Sequence, residues 1–216
     1  MGRLEKIIRL YPVIDASFVK ADAMEKTTLD IIRGGARVVQ LRAKSVPSGE
    51  FLGYARTLRT LTSRRNVLFI VNDRADIALL SGADGVHLGQ EDIPVDAVRR
   101  LLGKRRIIGL STHTMKEARK AEEFFKEGSI DYISFGPVFP TDTKTDARRV
   151  VGLERLKDVK MSVTVPVVAI GGITGKNILK VVRTGADGAA VISGVLRAGD
   201  VEKKVKDLIG RLCHGQ

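Results

Sequence analysis

Two aspartates, each placed shortly after a short apolar run, are the side chains in this sequence best suited to hold a hard cation. Residues 67–71 end at Asn72-Asp73-Arg74, and residues 86–88 end at Gly89-Gln90-Glu91-Asp92. If both runs are parallel neighbouring strands, about 4.8 Å apart, Asp73 and Asp92 can converge on one ion bound at roughly 2.1 Å. Either aspartate taken alone could instead cap the helix that follows it, with Pro94 in the first turn of the second helix. Only the pair argues for metal.

Further along, Gly171-Gly172 and Ser193-Gly194 follow two apolar runs near the C-terminus. Glycines there let backbone N–H groups approach phosphate oxygens, although tight-turn geometry is enough to explain any single pair. Gln40-x-Arg42-x-Lys44 alternates, so an amide and two cations face one place if the strand continues through them; a solvated charge cluster fits the same spacing. Thr141-x-Thr143-Lys144 adds hydroxyls and a third cation on a long polar stretch, which could also be loop filler. Two anionic ends and a metal are thus provided for, a pattern that suits a diphosphate together with a monophosphate.

Other chemistries find little support. Ser111 and His113 lie close in sequence without a nucleophile elbow or an evident third member. His87 sits inside an apolar run and reads as a packed, hydrogen-bonded histidine, and His214 lies near the C-terminal end. One cysteine and three histidines make a zinc site a poor fit.

These clusters need elements to carry them, and the patterning supplies eight alternating units. Strands are expected at 10–14, 38–41, 67–71, 86–88, 107–110, 132–135, 165–170 and 189–192, and helices at 24–32, 51–61, after Arg74, 95–102, 115–125, 153–159, 178–183 and 201–212. Gly82-Ala83-Asp84-Gly85 recurs as Gly185-Ala186-Asp187-Gly188, with looser echoes at 34–38 and 128–132, each where a helix feeds a strand. Eight such units predict an α/β fold, a single (β/α)8 TIM barrel occupying one continuous domain, 1–216. An open doubly wound sheet shares the alternation but should carry a glycine fingerprint after its first strand, which is missing. Every polar cluster named above follows a strand, the face on which barrels place their chemistry.

A chain of 216 residues with 44% hydrophobic content can bury a full core. The net charge of +12 invites a nucleic-acid reading, but aromatics are 5%, Trp is absent and the basic residues come mostly as scattered pairs. Anionic small molecules suit that surface better. No apolar stretch is long enough to span a bilayer, no signal core opens the chain, and Cys213 has no partner for an internal disulfide, so a cytoplasmic location is expected.

The motifs together resemble those of the thiamine-phosphate synthase family. The matches are Gln40-Leu41-Arg42-x-Lys44, Val71-Asn72-Asp73-Arg74, Gly85-Val86-His87-Leu88-Gly89-Gln90-x-Asp92, Gly109-x-Ser111-x-His113-Thr114, Gly136-Pro137-Val138-Phe139-Pro140-Thr141-x-Thr143-Lys144, Ala169-Ile170-Gly171-Gly172-Ile173 and Ile192-Ser193. Ala43 stands where many members carry an acidic residue. The resemblance implies a (β/α)8 barrel that joins 4-amino-2-methyl-5-hydroxymethylpyrimidine diphosphate to 4-methyl-5-(2-phosphoethyl)thiazole, releasing diphosphate and forming thiamine phosphate. By the same resemblance, Gln40, Leu41, Arg42, Ala43, Lys44 and Asn72 hold the pyrimidine diphosphate, and Asp73 and Asp92 ligate Mg2+. Ser111 and Lys144 contact the same substrate, and Arg42, Lys44, Ser111 and Lys144 carry the chemistry. Thr141, Asp142 and Thr143 meet the thiazole phosphate, with Gly172, Ile192 and Ser193 lining its pocket.

The partners implied are these two small molecules, with no nucleic acid and no membrane, and a homo-oligomer is compatible with the sequence. Two other readings compete: a thiazole tautomerase-like relative on the same barrel, which needs His87 or His113 as acid or base but no diphosphate site, and a non-catalytic phosphate-binding regulator.

Overall fold

A computed structural model describes residues 4, 7–141 and 149–214. Eight parallel strands close on themselves in chain order, β1 pairing with both β2 and β8. They are β1 (Leu10–Asp15), β2 (Val38–Arg42), β3 (Leu68–Asn72), β4 (Gly85–Leu88), β5 (Ile107–Thr112), β6 (Tyr132–Phe135), β7 (Val167–Ile170) and β8 (Gly188–Val191). The helices are α1 (Met24–Arg33), α2 (Ser48–Ser63), α3 (Ala75–Ser81), α4 (Val95–Leu102), α5 (Met115–Lys126), α6 (Gly152–Ser162), α7 (Ile178–Val182), α8 (Ser193–Leu196) and α9 (Val201–His214). The architecture is the expected (β/α)8 barrel. A 3-10 turn at Ala21–Ala23 and the short α8 have no hydrophobic period of their own and are additions to the sequence reading.

Strand alternation sorts the core into two parts. Leu41, Val71, Val86, Ile133 and Ala169 face outward into the large cluster shared with the helices, while Tyr11, Val38, Ile70, Tyr132, Val168 and Ala190 fill the barrel interior. Gly109 makes part of that interior possible: a Cβ there would stand 2.2 Å from the Tyr132 ring and 2.4 Å from His87 Nδ1.

The recurring Gly-x-Asp-Gly echo has a physical cause. Asp84, Asp131 and Asp187 each lie just before an even-numbered strand and accept the N–H of the preceding strand's Phe69, Ile108 or Val167, at 2.9, 2.8 and 2.7 Å. Each also binds a cation from the helix before that preceding strand: Arg59 of α2 at 2.6 Å, Arg99 of α4 at 2.7 Å and Lys160 of α6 at 2.5 Å. The motif therefore ties helix, strand and next strand together at the N-terminal end of the barrel. The looser echo before β2 carries Arg37 where the others have Asp, so it cannot make that tie.

Candidate active site

At the opposite end of the barrel a cavity of about 420 Å³ opens among the strand exits. One side is formed by Arg42, the last residue of β2, and Lys44 just beyond it, by Asn72, the last residue of β3, and Asp73 after it, by Asp92 after β4 and by Ser111 on β5. Across the mouth lie Thr141, Gly171, Gly172, Ile192 and Ser193. Ten residues of the expected site therefore converge: Arg42, Lys44, Asn72, Asp73, Asp92, Ser111, Thr141, Gly172, Ile192 and Ser193.

Capping does not account for the aspartates. Arg74 and Pro94 occupy the N-cap positions of α3 and α4, and neither helix start carries a side-chain cap bond. Pro94 thus stands one position earlier than expected. Asp73 sits at φ 63°, in the left-handed region, with its N–H on the His87 carbonyl at 2.8 Å. Asp92 Oδ2 accepts the Gly89 N–H at 2.6 Å, which folds the loop after β4 back toward the cavity. Burial, and then the neighbouring Asp92 carboxylate, push Asp73 up to about 6, against the opposing pull of Lys44 and Arg42. Two carboxylates crowded at one rim repel each other unless a cation or proton joins them.

Arg42 is held from beneath. Its Nη1 donates to Asp15 Oδ2 at 2.5 Å, and Asp15 Oδ1 accepts both the Ser17 N–H and hydroxyl at 2.9 and 2.7 Å. Asp15 is 1% exposed and Arg42 8%, so this is a buried ion pair whose geometry fixes the guanidinium at the cavity wall. The signal available in the sequence was an acid ending an otherwise apolar first strand. Lys44 is more exposed and lies 3.8 Å from Asp73 Oδ2, a pairing worth little to stability.

Three expected residues stand elsewhere. Gln40 lies one layer deeper in the barrel, under the cavity, donating to Tyr11 at 3.1 Å. Leu41 and Ala43 belong to the helix-facing core, because a strand sends successive side chains to opposite faces. Any contact they make with a ligand is through backbone. Asp142, Thr143 and Lys144 lie outside the described residues.

Gln90, of the Gly85-Val86-His87-Leu88-Gly89-Gln90 motif, also lines the cavity and is not among the expected site residues. Its amide donates to the Ser111 carbonyl at 2.6 Å and stitches the β4 exit to β5. Arg74, in contrast, turns away to Asp76 and Ser48. His113 lines the cavity with Nδ1 2.7 Å from the Gly136 carbonyl, and Thr114 caps α5 by accepting the Glu117 N–H at 3.1 Å.

The β6 exit is anchored against β7. Val138 and Phe139 donate to the Ile170 and Gly171 carbonyls at 2.8 and 3.1 Å, after a cis Gly136-Pro137 bond. Gly172, at φ 62°, is packed so closely that a Cβ would lie 2.4 Å from the Pro140 carbonyl oxygen. The glycine pair therefore brings two loops together at one edge of the cavity.

Known proteins place this geometry. The family model described as Thiamine monophosphate synthase matches residues 10–195. A thiamine-phosphate synthase from Chlorobium limicola is 47% identical, covering 84% of this chain and 84% of its own, and one from Clostridium tetani is 41% identical over 93% and 94%. Among solved structures, thiamine phosphate pyrophosphorylase from Pyrococcus furiosus superposes with a TM-score of 0.87 at 38% identity, covering 99% of both chains. The chain belongs to the thiamine monophosphate synthase family.

Proposed function

We propose that this protein condenses 4-amino-2-methyl-5-hydroxymethylpyrimidine diphosphate with 4-methyl-5-(2-phosphoethyl)thiazole to give thiamine phosphate and diphosphate. The observation that carries this reading is the two-ended cavity of a family member, with paired carboxylates and Arg42 and Lys44 at one end and Gly172 and Ser193 at the other. A dissociative displacement suits it, since the amino-pyrimidine can feed electron density to its methylene as diphosphate leaves and the thiazole nitrogen then captures the cation. The chain itself need supply neither a strong base nor a covalent nucleophile.

Arg42 and Lys44 stabilise the departing negative charge, with Lys144 assigned to the same end by the resemblance. Arg42 is preorganised for the task by Asp15, so little reorganisation is required as charge develops. Asn72 and Ser111 orient the pyrimidine diphosphate, while Thr141, Ile192, Ser193 and the Gly172 backbone hold the acceptor's phosphate, together with Asp142 and Thr143. Holding the acceptor in line turns capture into a step within one complex and limits competition from water.

Mg2+ fits the donor set of Asp73 and Asp92: it takes one or two carboxylates and completes its shell with water and substrate phosphate oxygens. When bound there it neutralises charge on the diphosphate. No group of three or more His, Cys, Asp or Glu side chains that could hold a metal occurs among the described residues, and an ion held by these two carboxylates would take water and substrate oxygens as further ligands.

No helix among the described residues is long and apolar enough to cross a membrane. A cytoplasmic location and a single catalytic domain belong to the same proposal. Purified protein given both substrates and Mg2+ should form thiamine phosphate and diphosphate in equal amounts. Binding of both substrates without product would leave the non-catalytic regulator as the surviving reading.

A further inference from the structure

Beneath the cavity floor a line of polar side chains crosses a barrel interior otherwise filled by Val38, Ile70 and Val168. Gln40 Nε2 donates to the Tyr11 hydroxyl at 3.1 Å, and the Tyr11 and Tyr132 hydroxyls lie 2.7 Å apart. The Tyr132 hydroxyl is 2.9 Å from His87 Nδ1, and His87 Nε2 is 3.0 Å from Ser111 Oγ and 3.2 Å from Ser134 Oγ. All but Ser111 are buried, and Ser111 alone of them opens into the substrate cavity. Polar groups this deep are costly unless every member is satisfied, and a satisfied network specifies one arrangement of its protons.

We propose that this line is a directional hydrogen-bond relay that holds the Ser111 hydroxyl as a donor into the cavity, with His87 as its positioning residue. The direction follows from counting protons. A buried phenol must place its one O–H: Tyr11 already accepts from the Gln40 amide and has the Tyr132 oxygen as an acceptor within reach, and a Tyr132 hydroxyl that accepts from Tyr11 has His87 Nδ1 as its own acceptor. The imidazole then carries its proton on Nε2 and donates to Ser111. Burial pushes both phenols up, so both keep the protons that this requires. Ser134 Oγ adds a weak 3.5 Å contact to Ser111 Oγ from the same side. The accepting lone pairs of Ser111 thus face the barrel interior, and its own O–H is left for the ligand. A hydroxyl fixed in this way need not be turned when negative charge develops on the substrate.

The inference rests on the placement of Ser111 in the pyrimidine diphosphate site, so the test separates the two. Nitrogen-15 NMR of the substrate-free protein reads the His87 tautomer directly. The resonances are assigned by their loss in His87→Gln, the chain having three histidines. A proton on Nε2 is expected, with an Nδ1 signal typical of a hydrogen-bond acceptor that moves in Tyr132→Phe; a proton on Nδ1 would overturn the direction. In turnover, Tyr132→Phe should lower kcat roughly tenfold, the equivalent of one net hydrogen bond, with KM little changed. His87→Gln, whose amide can donate from near the Nε2 position, should retain more activity than His87→Asn.

In a Ser111→Ala background, itself down on the order of a hundredfold, Tyr132→Phe should cost nothing further. If the two losses multiply instead, the relay does not act through Ser111 and the proposal fails. Wild-type turnover in Ser111→Ala would remove Ser111 from the site, a failure of the site assignment that the NMR result on the relay does not share.

Discussion

Replacing Asp73 by Asn separates the needs of the fold from those of the chemistry. Asn has the same size and tolerates the left-handed backbone at φ 63°, so the change removes a charge and little else. In the folded chain the carboxyl is raised from 3.8 to about 6, first by burial and then by Asp92. The folded state therefore holds the proton more tightly than the unfolded chain does. Its contribution to stability is full below about pH 4 and is lost as pH rises through about 6. Fully ionised, the group costs the fold up to about 3 kcal/mol, and sharing of charge with Asp92 and residual solvent contact bring a reasonable expectation to about 1–3 kcal/mol.

Asp73→Asn should accordingly raise the stability of the metal-free protein at pH 8, by roughly 2–4 °C in Tm for each kcal/mol, and the gain should shrink toward pH 4. Added Mg2+ should stabilise the wild type, because an ion that binds only the folded state shifts the equilibrium, and should leave the variant unmoved. Below about pH 6 protonation of Asp73 competes with the ion, so Mg2+ stabilisation of the wild type should fade there as well. Thermal melts from pH 4 to 8, with and without Mg2+, read all of this without substrate. A variant less stable than wild type at pH 8, or one still stabilised by Mg2+ to the same extent, would refute the reasoning.

Asp15→Asn should leave Arg42 buried without its counter-ion, costing about 3 kcal/mol in denaturant unfolding and weakening pyrimidine diphosphate binding in calorimetry; unchanged binding would detach Asp15 from the site. Gly172→Ala should push the Pro140 carbonyl away and weaken the thiazole phosphate more than the pyrimidine diphosphate, whereas equal weakening would contradict the two ends. Alanine at Asp84, Asp131 or Asp187 should cost about 1–3 kcal/mol each by leaving strand N–H groups unpaired, with turnover of the folded protein intact, as these ties lie at the end of the barrel away from the cavity.

Much of this could be read from the sequence because a parallel barrel strand is an apolar run and its exit is a polar cluster. The β4 exit, Gly89-Gln90-Glu91-Asp92, and the β3 exit at Asp73 were legible in that way, and their meeting follows once β3 and β4 pair through Asn72 and His87. Depth was not legible. Gln40 and Arg42 share a face, but one lies beneath the floor and the other at the wall, since strand tilt within a closed barrel sets which residue of a strand reaches the mouth. Asp15 was hidden because its role is to hold Arg42, a contact 27 positions away that no local spacing announces. The repeated aspartates were visible as an echo, but their cations sit on the helix before the preceding strand, at no fixed distance in the chain.

Whether the cavity binds two phosphorylated ends at opposite rims is tested most directly by a crystal structure with thiamine phosphate, diphosphate and Mg2+ bound. The diphosphate is expected beside Arg42 and Lys44, with the ion shared between it and the Asp73 and Asp92 carboxylates. The phosphate of thiamine phosphate is expected at Gly172 and Ser193, across the mouth. Diphosphate at the glycine rim, or a metal bound away from both aspartates, would contradict the assignment.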